Sequence, residues 1–282
     1  MPPAPAPAPP PGTEDALRLA LDASRRDFGA DHEEALRAAL AYGAFLQRGA
    51  RFEEACALYR SVEGARRRTL GADHPATLHA ITSLALLLQA RGRLGEAEPL
   101  FREALAGRRR ALLFPHPDTL ASINNLAALL KAQGRAEEAA PLFREALDWR
   151  RRTLGDAHPD TLSSINNLAG LLQDQGGFEE AEPLFREALE GRRRVLGDAH
   201  LDTLASLNNL AYALYAQGRL GEAEAPLREA LDVRARAGSH LSQRVRVPIQ
   251  INTRAHVPTP LLPARRASSA RWARPTPPPS TP

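Results

Sequence analysis

The sequence has one cysteine, Cys56, among its 282 residues, so an internal disulfide framework is excluded. This cysteine usage fits a reducing compartment, and we expect a cytoplasmic protein. The first eight residues contain neither the charged nor the apolar segment of a secretory signal. No apolar run approaches the ~20 residues that a membrane-spanning helix needs, so we expect no membrane partner.

Lysine is also scarce and appears once, at Lys131. The formal net charge of +4 is unevenly distributed, because residues 238–282 contain seven arginines and no Asp or Glu. Residues 1–237 therefore hold 30 basic and 33 acidic side chains. Binding of phosphate groups needs a basic surface, so we expect no nucleic-acid partner for this part of the chain.

Motifs of catalysis are absent as well. The sequence contains no phosphate-binding Gly-x-x-x-x-Gly-Lys loop and no dinucleotide-binding Gly-x-Gly-x-x-Gly turn. No Cys or Ser stands beside a plausible general base. We therefore expect a protein without enzymatic activity, catalytic residues or cofactors.

What the sequence does have is a 42-residue repeat. Its register is marked by histidines, at His32, His74, His116, His158 and His200. The phrase Thr-Leu-Ala-Ser-Ile-Asn-Asn-Leu-Ala at 119–127 returns almost unchanged at 161–169 and 203–211. A fixed period of this length is typical of stacked supersecondary units, because one unit alone leaves an apolar face unburied.

Each repeat is predicted to form two helices. The first runs from Pro117 or its equivalents to the glycine turn at Gly134, since proline suits the first turn and glycine the C-cap. The second spans about 136–154, with equivalents at 94–112 and 178–196. The histidines are interpreted as helix-start residues and not as a metal site, because no second ligand follows at i+3 or i+4.

These patterns predict an all-α, right-handed superhelical solenoid of antiparallel helix pairs with disordered termini. Residues 1–12 are predicted to be a disordered Pro/Ala-rich arm. Residues 13–237 are predicted to be the array of eleven helices, a half-repeat at 13–31 and repeats from about 32, 74, 116, 158 and 200. Residues 238–282 are predicted to be a disordered, basic Pro/Arg-rich tail.

The repeat resembles the tetratricopeptide repeat, in its Asn-Leu-Ala, its glycine turn, its Glu-Glu-Ala and its later Ala-Leu. The 42-residue period, with Asn-Asn-Leu-Ala and Leu-Gly-x-x-His-Pro-Asp-Thr-Leu, is similar to that of kinesin light chains. The resemblance covers residues 13–237 and implies a non-catalytic scaffold or adaptor for protein–protein interaction. Kinesin light chains attach to the motor heavy chain through a coiled coil that residues 1–12 cannot form, so only cargo binding is carried over.

The resemblance also implies a concave groove lined by the first helices, where paired asparagines hold an extended peptide. The matching residues are Asn124, Asn125, Asn166, Asn167, Asn208 and Asn209. Amides can pair with both groups of a peptide backbone, although one amide of each pair could instead stabilise helix stacking. Ala128, Gly170 and Tyr212 share this face, and the two small residues would let a peptide backbone approach closely.

Charge along the groove suggests a preference for acidic segments. Basic residues are predicted on the face or its rim, at Arg37, Arg48, Arg51, His79, Arg93, Lys131 and Arg135. The alternative function is a sensor or regulatory module of a larger signalling or enzyme complex. RNA-binding helical repeats are disfavoured because residues 1–237 are mildly acidic.

Two other features are interpreted as solvent-exposed. Cys56 stands in a column with Glu98 and Glu182, which is typical of a surface thiol. Arginine triplets end the second helices at 108–110, 150–152 and 192–194. Because they alternate with glutamates, the triplets are predicted to form solvated ion pairs between repeats.

Overall fold

The structure is a computed structural model that describes residues 12–112 and 114–236. The described residues form eleven α-helices, as predicted. The helices are α1 Glu14–Phe28, α2 Glu33–Arg48, α3 Phe52–Leu70, α4 Pro75–Ala90, α5 Leu94–Ala111, α6 Pro117–Ala132, α7 Ala136–Leu154, α8 Pro159–Asp174, α9 Phe178–Leu196, α10 Leu201–Ala216 and α11 Leu220–Arg236. The predicted tail at 238–282 and the predicted arm, apart from Gly12, lie outside the described residues.

Consecutive helices pack against each other in a stacked array of pairs. In the described part, helix α1 is the half-repeat, and five repeats follow, each with a first helix (A) and a second helix (B). The A helices are α2, α4, α6, α8 and α10, and the B helices that follow them are α3, α5, α7, α9 and α11. This arrangement confirms the predicted all-α solenoid.

Each A helix begins at a histidine that caps it. In repeat 4, the backbone N–H of Asp160 donates a hydrogen bond to Nδ1 of His158 at 3.1 Å. The same bond, at 3.1–3.3 Å, caps the other four A helices. The interpretation of the histidines as helix-start residues is therefore confirmed. Among the residues that the structure describes, no group of His, Cys, Asp and Glu could hold a metal ion.

Phenylalanines at equivalent positions of the B helices centre the core. Phe101, Phe143 and Phe185 are each 1% exposed, and an alanine one turn earlier, such as Ala139, is fully buried. Complete burial of such a side chain contributes about 1.5–3 kcal/mol relative to exposure. The small alanine lets the neighbouring helix come close, so the large and small residues together set the spacing of the pairs.

The arginine triplets divide into two environments. The second arginine forms the predicted ion pair between repeats, as in Arg151 with Glu187 at 2.6 Å. The first arginine is buried: Arg150 is 6% exposed and donates to Ser164 Oγ at 2.6 Å and to the Asp160 carbonyl at 3.0 Å. Burial lowers the pKa of the Arg150 guanidinium. The prediction of solvated arginines is therefore wrong for this column, because the residue points at the next A helix.

A cluster of polar side chains, which we term a clasp, ties some repeats to the next one. The carboxylate of Glu98 in α5 accepts hydrogen bonds from Gln133 Nε2 at 3.0 Å and from Arg135 Nη1 at 2.8 Å. Gln133 and Arg135 lie in the turn of the following repeat. An equivalent clasp at Glu182 is formed with Gln217 at 2.8 Å and with Arg219 at 2.6 Å.

Cys56 occupies the clasp position of repeat 1. It is 1% exposed, and burial raises the pKa of its thiol. The prediction of a surface thiol is therefore wrong. The reason is that this column lies between a B helix and the next repeat. The glutamates found there are themselves largely covered, with side-chain exposures of 18% for Glu98 and 7% for Glu182.

The clasp at Glu98 predicts an acid-sensitive contribution to stability. Hydrogen bonds from Gln133 and then Arg135 lower the pKa of Glu98 to about 2. A carboxyl whose pKa is lower in the folded state stabilises the fold fully above its unfolded pKa, about 4.3, and this contribution is lost as pH falls toward 2. We expect the melting midpoint of wild type to exceed that of Glu98→Gln at pH 6, with a gap that closes between pH ~4.5 and ~2. Parallel curves over this range would contradict the role of the clasp.

Candidate peptide-binding face

The predicted site residues lie together on the outward side of three A helices. We term this surface the A-helix face. It comprises Asn124, Asn125, Ala128 and Lys131 of α6, Asn166, Asn167, Gly170 and Asp174 of α8, and Asn208, Asn209, Tyr212 and Tyr215 of α10. All twelve residues are partly or fully exposed. The inner side of the same helices is buried, as shown by Leu126 at 3%, Leu168 at 8% and Leu210 at 7% exposure.

The asparagines form a ladder from one A helix to the next. Nδ2 of Asn167 donates to Oδ1 of Asn124 at 3.1 Å, and Nδ2 of Asn209 donates to Oδ1 of Asn166 at 2.9 Å. The two rungs join α6 to α8 and α8 to α10. One polar atom of each bonded amide therefore helps to hold neighbouring repeats together. This is the stacking role that the sequence left open as the alternative to peptide binding.

The ladder leaves half of each bonded amide unused. Asn124 uses only its oxygen and Asn167 uses only its nitrogen, so each rung presents one free donor and one free acceptor. Within residues 12–112 and 114–236, Asn125 and Asn208 make no hydrogen bond through their side chains. The face thus offers donors and acceptors side by side over three repeats.

Lys131 lies across the middle of the face. Its ammonium group is 3.3 Å from Asp174 Oδ2, with side-chain exposures of 27% and 42% for the pair. The same nitrogen is 2.8 Å from the point where a Cβ on Gly170 would stand. Gly170 therefore provides the room in which the lysine reaches the next A helix. Asp174 is a partner of Lys131 that the predicted site did not include, although its place at the end of α8 was visible in the repeat.

The face becomes aromatic in the last described repeat. Tyr212 replaces the small residues Ala128 and Gly170 of the preceding repeats, and its ring meets Phe178 edge-on with centroids 6.5 Å apart. Burial raises the pKa of the Tyr212 hydroxyl. Tyr215, one turn further along α10, is 53% exposed. The face is therefore lined by small residues in repeats 3 and 4 and by large rings in repeat 5, so a ligand would find a shallow strip that is aromatic at one end.

Most of the basic residues predicted along the face are neutralised within the protein. Arg37 pairs with Glu33 and Glu34, and the rim arginines pair with glutamates of the B helices and of α1. In the described residues, Arg48 and His79 form no ion pair. Together with the Lys131–Asp174 pair, these contacts leave much less free positive charge than the sequence indicated.

The arrangement defines a class, the helical-repeat proteins, whose extended face serves for interaction. None of the described helices is both long and apolar enough to span a membrane. The family model of the tetratricopeptide repeat matches residues 34–110, 118–191 and 160–236. The chain belongs to the tetratricopeptide repeat family, and its repeats are of the kinesin light chain type. Proteins with this fold act as non-catalytic interaction scaffolds.

Solved structures agree with this assignment. Nearly identical TPR-like repeats assigned to a kinesin light chain of Podosopora anserina are 30% identical, with a TM-score of 0.62 over 73% of this chain and 98% of that one. BtubC (BKLC) from P. vanneervenii is 23% identical, with a TM-score of 0.69 over 80% and 92%, and this likeness concerns the fold alone. NprR in complex with its cognate peptide NprX is 15% identical, with a TM-score of 0.57 over 79% and 63%, which shows the fold alone. No curated protein sequence matches the chain.

Proposed function

We propose that the A-helix face binds an extended peptide segment of a partner protein, and that the chain is a scaffold or adaptor. The observation that carries this proposal is the half-used asparagine ladder together with the amides of Asn125 and Asn208 beside it, which are unbonded within the described residues. A peptide in extended conformation presents N–H and C=O groups alternately, and each rung offers one free acceptor and one free donor. Amides recognise the backbone and not the side chains, so this contact is independent of ligand sequence.

The residues around the ladder supply room and selectivity. Ala128 and Gly170 add almost no side chain to the middle of the face, so that a backbone can reach the amides once Lys131 moves from its place over Gly170. Tyr212 and Tyr215 offer apolar surface with polar tips at one end, as is typical of peptide-binding sites. Lys131 can leave Asp174 and pair with a carboxylate of the ligand instead. This exchange would favour ligands with acidic residues at that place.

The bound peptide in the related fold of NprR supports this use of a tetratricopeptide array. The partner we infer is therefore a protein, contacted through a linear segment. The predicted cytoplasmic location and the absence of nucleic-acid partners remain predictions from the sequence.

A screen of random twelve-residue peptides against the full chain tests the proposal. We expect enrichment of binders whose affinity falls about fivefold to a hundredfold in Asn125→Ala/Asn208→Ala, because two uncharged hydrogen bonds are lost. These two asparagines have no hydrogen bond to lose inside the described protein, so the melting midpoint should stay unchanged. Enriched sequences rich in Asp and Glu would support the acidic preference, and basic ones would contradict it.

The matched control is Gln175→Ala, which removes an exposed amide outside the A-helix face. Its side chain forms no hydrogen bond within the described residues, and we expect peptide affinity to be unchanged. Failure to enrich any peptide, or equal affinity of wild type and Asn125→Ala/Asn208→Ala, would overturn the proposal.

A further inference from the structure

The junction between repeats 3 and 4 lacks the clasp found on either side of it. Glu98 with Arg135 ties repeat 2 to repeat 3, and Glu182 with Arg219 ties repeat 4 to repeat 5. Between repeats 3 and 4 the corresponding residues are Ala140 and Gly177, which cannot form an ion pair. Both partners of the clasp are therefore missing at this one junction.

Other ties are missing on the same side of this junction. Gln175 stands where Gln133 and Gln217 bond to the clasp glutamates, and it forms no hydrogen bond in the described part of the chain. Arg144 likewise forms no ion pair there, whereas its equivalent Arg102 lies 3.8 Å from a glutamate of the next B helix. The ion pair between Arg151 and Glu187 is retained, as are the hydrogen bonds from Arg150 to α8.

The A-helix face carries a different tie across the same junction. The Lys131–Asp174 pair, at 3.3 Å, is the ion pair that links two A helices within residues 12–112 and 114–236. It is a single contact with exposures of 27% and 42%, whereas the clasp carboxylate of Glu182 is 7% exposed and is held by three partners. An exposed pair stabilises less than a covered, multiply bonded one, and salt screens it.

We propose that the α7–α8 junction is a weak link of the array, where α8–α11 open as one cooperative block from α1–α7, with the Lys131–Asp174 pair and the asparagine rung as the ties on the A-helix face. In a solenoid each repeat is held only by its neighbours, so a weak junction sets the boundary of cooperative opening. The Asn124–Asn167 rung spans this boundary, so a segment bound along the face would bridge the blocks. That last consequence rests on the proposed function, whereas the block boundary does not.

Hydrogen–deuterium exchange of the full chain, without ligand, tests the block boundary. We expect amides of α8–α11 to share one opening equilibrium and to exchange at least about tenfold faster, relative to their unfolded rates, than those of α4–α7. Fast exchange confined to α10 and α11, with α8 and α9 as protected as α6, would mean simple fraying and would overturn the proposal.

Installing the missing clasp is the decisive variant. Gly177 has φ −78° and ψ 57°, close to the −89° and 59° of Arg135, so arginine can adopt this backbone conformation, and its Cβ would lie 3.3 Å from the Leu172 carbonyl oxygen. We expect Ala140→Glu/Gly177→Arg to slow exchange throughout α8–α11 by about three- to tenfold, as one more tie must break. Unchanged exchange in α8 and α9 would count against the proposal.

Two further variants keep the test independent of that design. Lys131→Met should speed α8–α11 exchange about two- to fivefold at low salt, with the difference lost near ~1 M salt. The mirror variant Glu182→Ala/Arg219→Gly removes the next clasp and should let α10–α11 open apart from α8–α9. Two outcomes would show that ties of this kind do not set the block boundaries. One is that Lys131→Met speeds exchange by the same factor at high salt as at low salt. The other is that α10–α11 still exchange together with α8–α9 in the mirror variant.

Discussion

Replacement of Phe143 with alanine is expected to lower the free energy of unfolding by about 3–5 kcal/mol, the range for a fully buried phenylalanine. Phe143 is 1% exposed in α7, the B helix of the middle repeat. The rigid neighbouring helices cannot close the cavity completely, so contacts are lost in addition to the hydrophobic transfer energy. Urea unfolding followed by circular dichroism measures the change. An unchanged m-value, the slope of the free energy of unfolding against urea concentration, shows that the variant is destabilised without a change in the surface exposed on unfolding.

The control for this variant is Leu86→Ala. Leu86 is 45% exposed on α4, so its truncation leaves little cavity and should change stability by no more than about 0.5 kcal/mol. Similar losses in both variants would mean that the described core is not what holds the array together.

The fold could be predicted from the sequence because its local signals recur at a fixed spacing of 42 residues, the histidine five times and the asparagine pair three times. A single histidine before a proline is weak evidence for a helix start. His74, His116 and His158 occupy equivalent places in three repeats, so a helix start assigned to one of them applies to the other two as well. In the structure, Nδ1 of each of them accepts the same hydrogen bond from a backbone N–H two residues later. Apolar periodicity then leaves one solution, because helices with one apolar side must stack to bury it.

The burial of polar residues between repeats could not be predicted in the same way. Arg150 and Arg151 are neighbours of the same type, yet one points at Ser164 and the other at a glutamate of the next B helix. A step of 100° along a helix decides which side chain faces the next repeat, and the boundary of the buried sector depends on how closely the helices pack. Cys56 was misjudged for the same reason, since its column contains glutamates that are covered by the following turn.

The repeat register predicted which of the candidate residues share one face, but not the bonds that they form. The asparagine columns, Gly170 and Lys131 do share one face, as the repeat register requires. Their partners belong to the next repeat, 43 residues away, and only three-dimensional packing shows that Asn167 bonds Asn124. The same holds for Lys131, whose charge is balanced by Asp174.

A comparison of residues in α6 and α8 separates a stacking role from a binding role for the amides. We expect Leu126→Ala to lower the free energy of unfolding by about 2–5 kcal/mol, because Leu126 is 3% exposed on the buried side. Asn125→Ala should change it by less than about 0.5 kcal/mol, since this amide forms no hydrogen bond within the described residues. Asn167→Ala should lie between them, at about 0.5–1.5 kcal/mol, for the lost rung to Asn124.

All three variants introduce alanine into an A helix, so helix propensity favours each of them and cannot produce this order. Urea unfolding of the three proteins measures it directly. If Asn125→Ala destabilises as much as Leu126→Ala, the amides hold the array together from within, and the face loses the free donors and acceptors on which peptide binding depends.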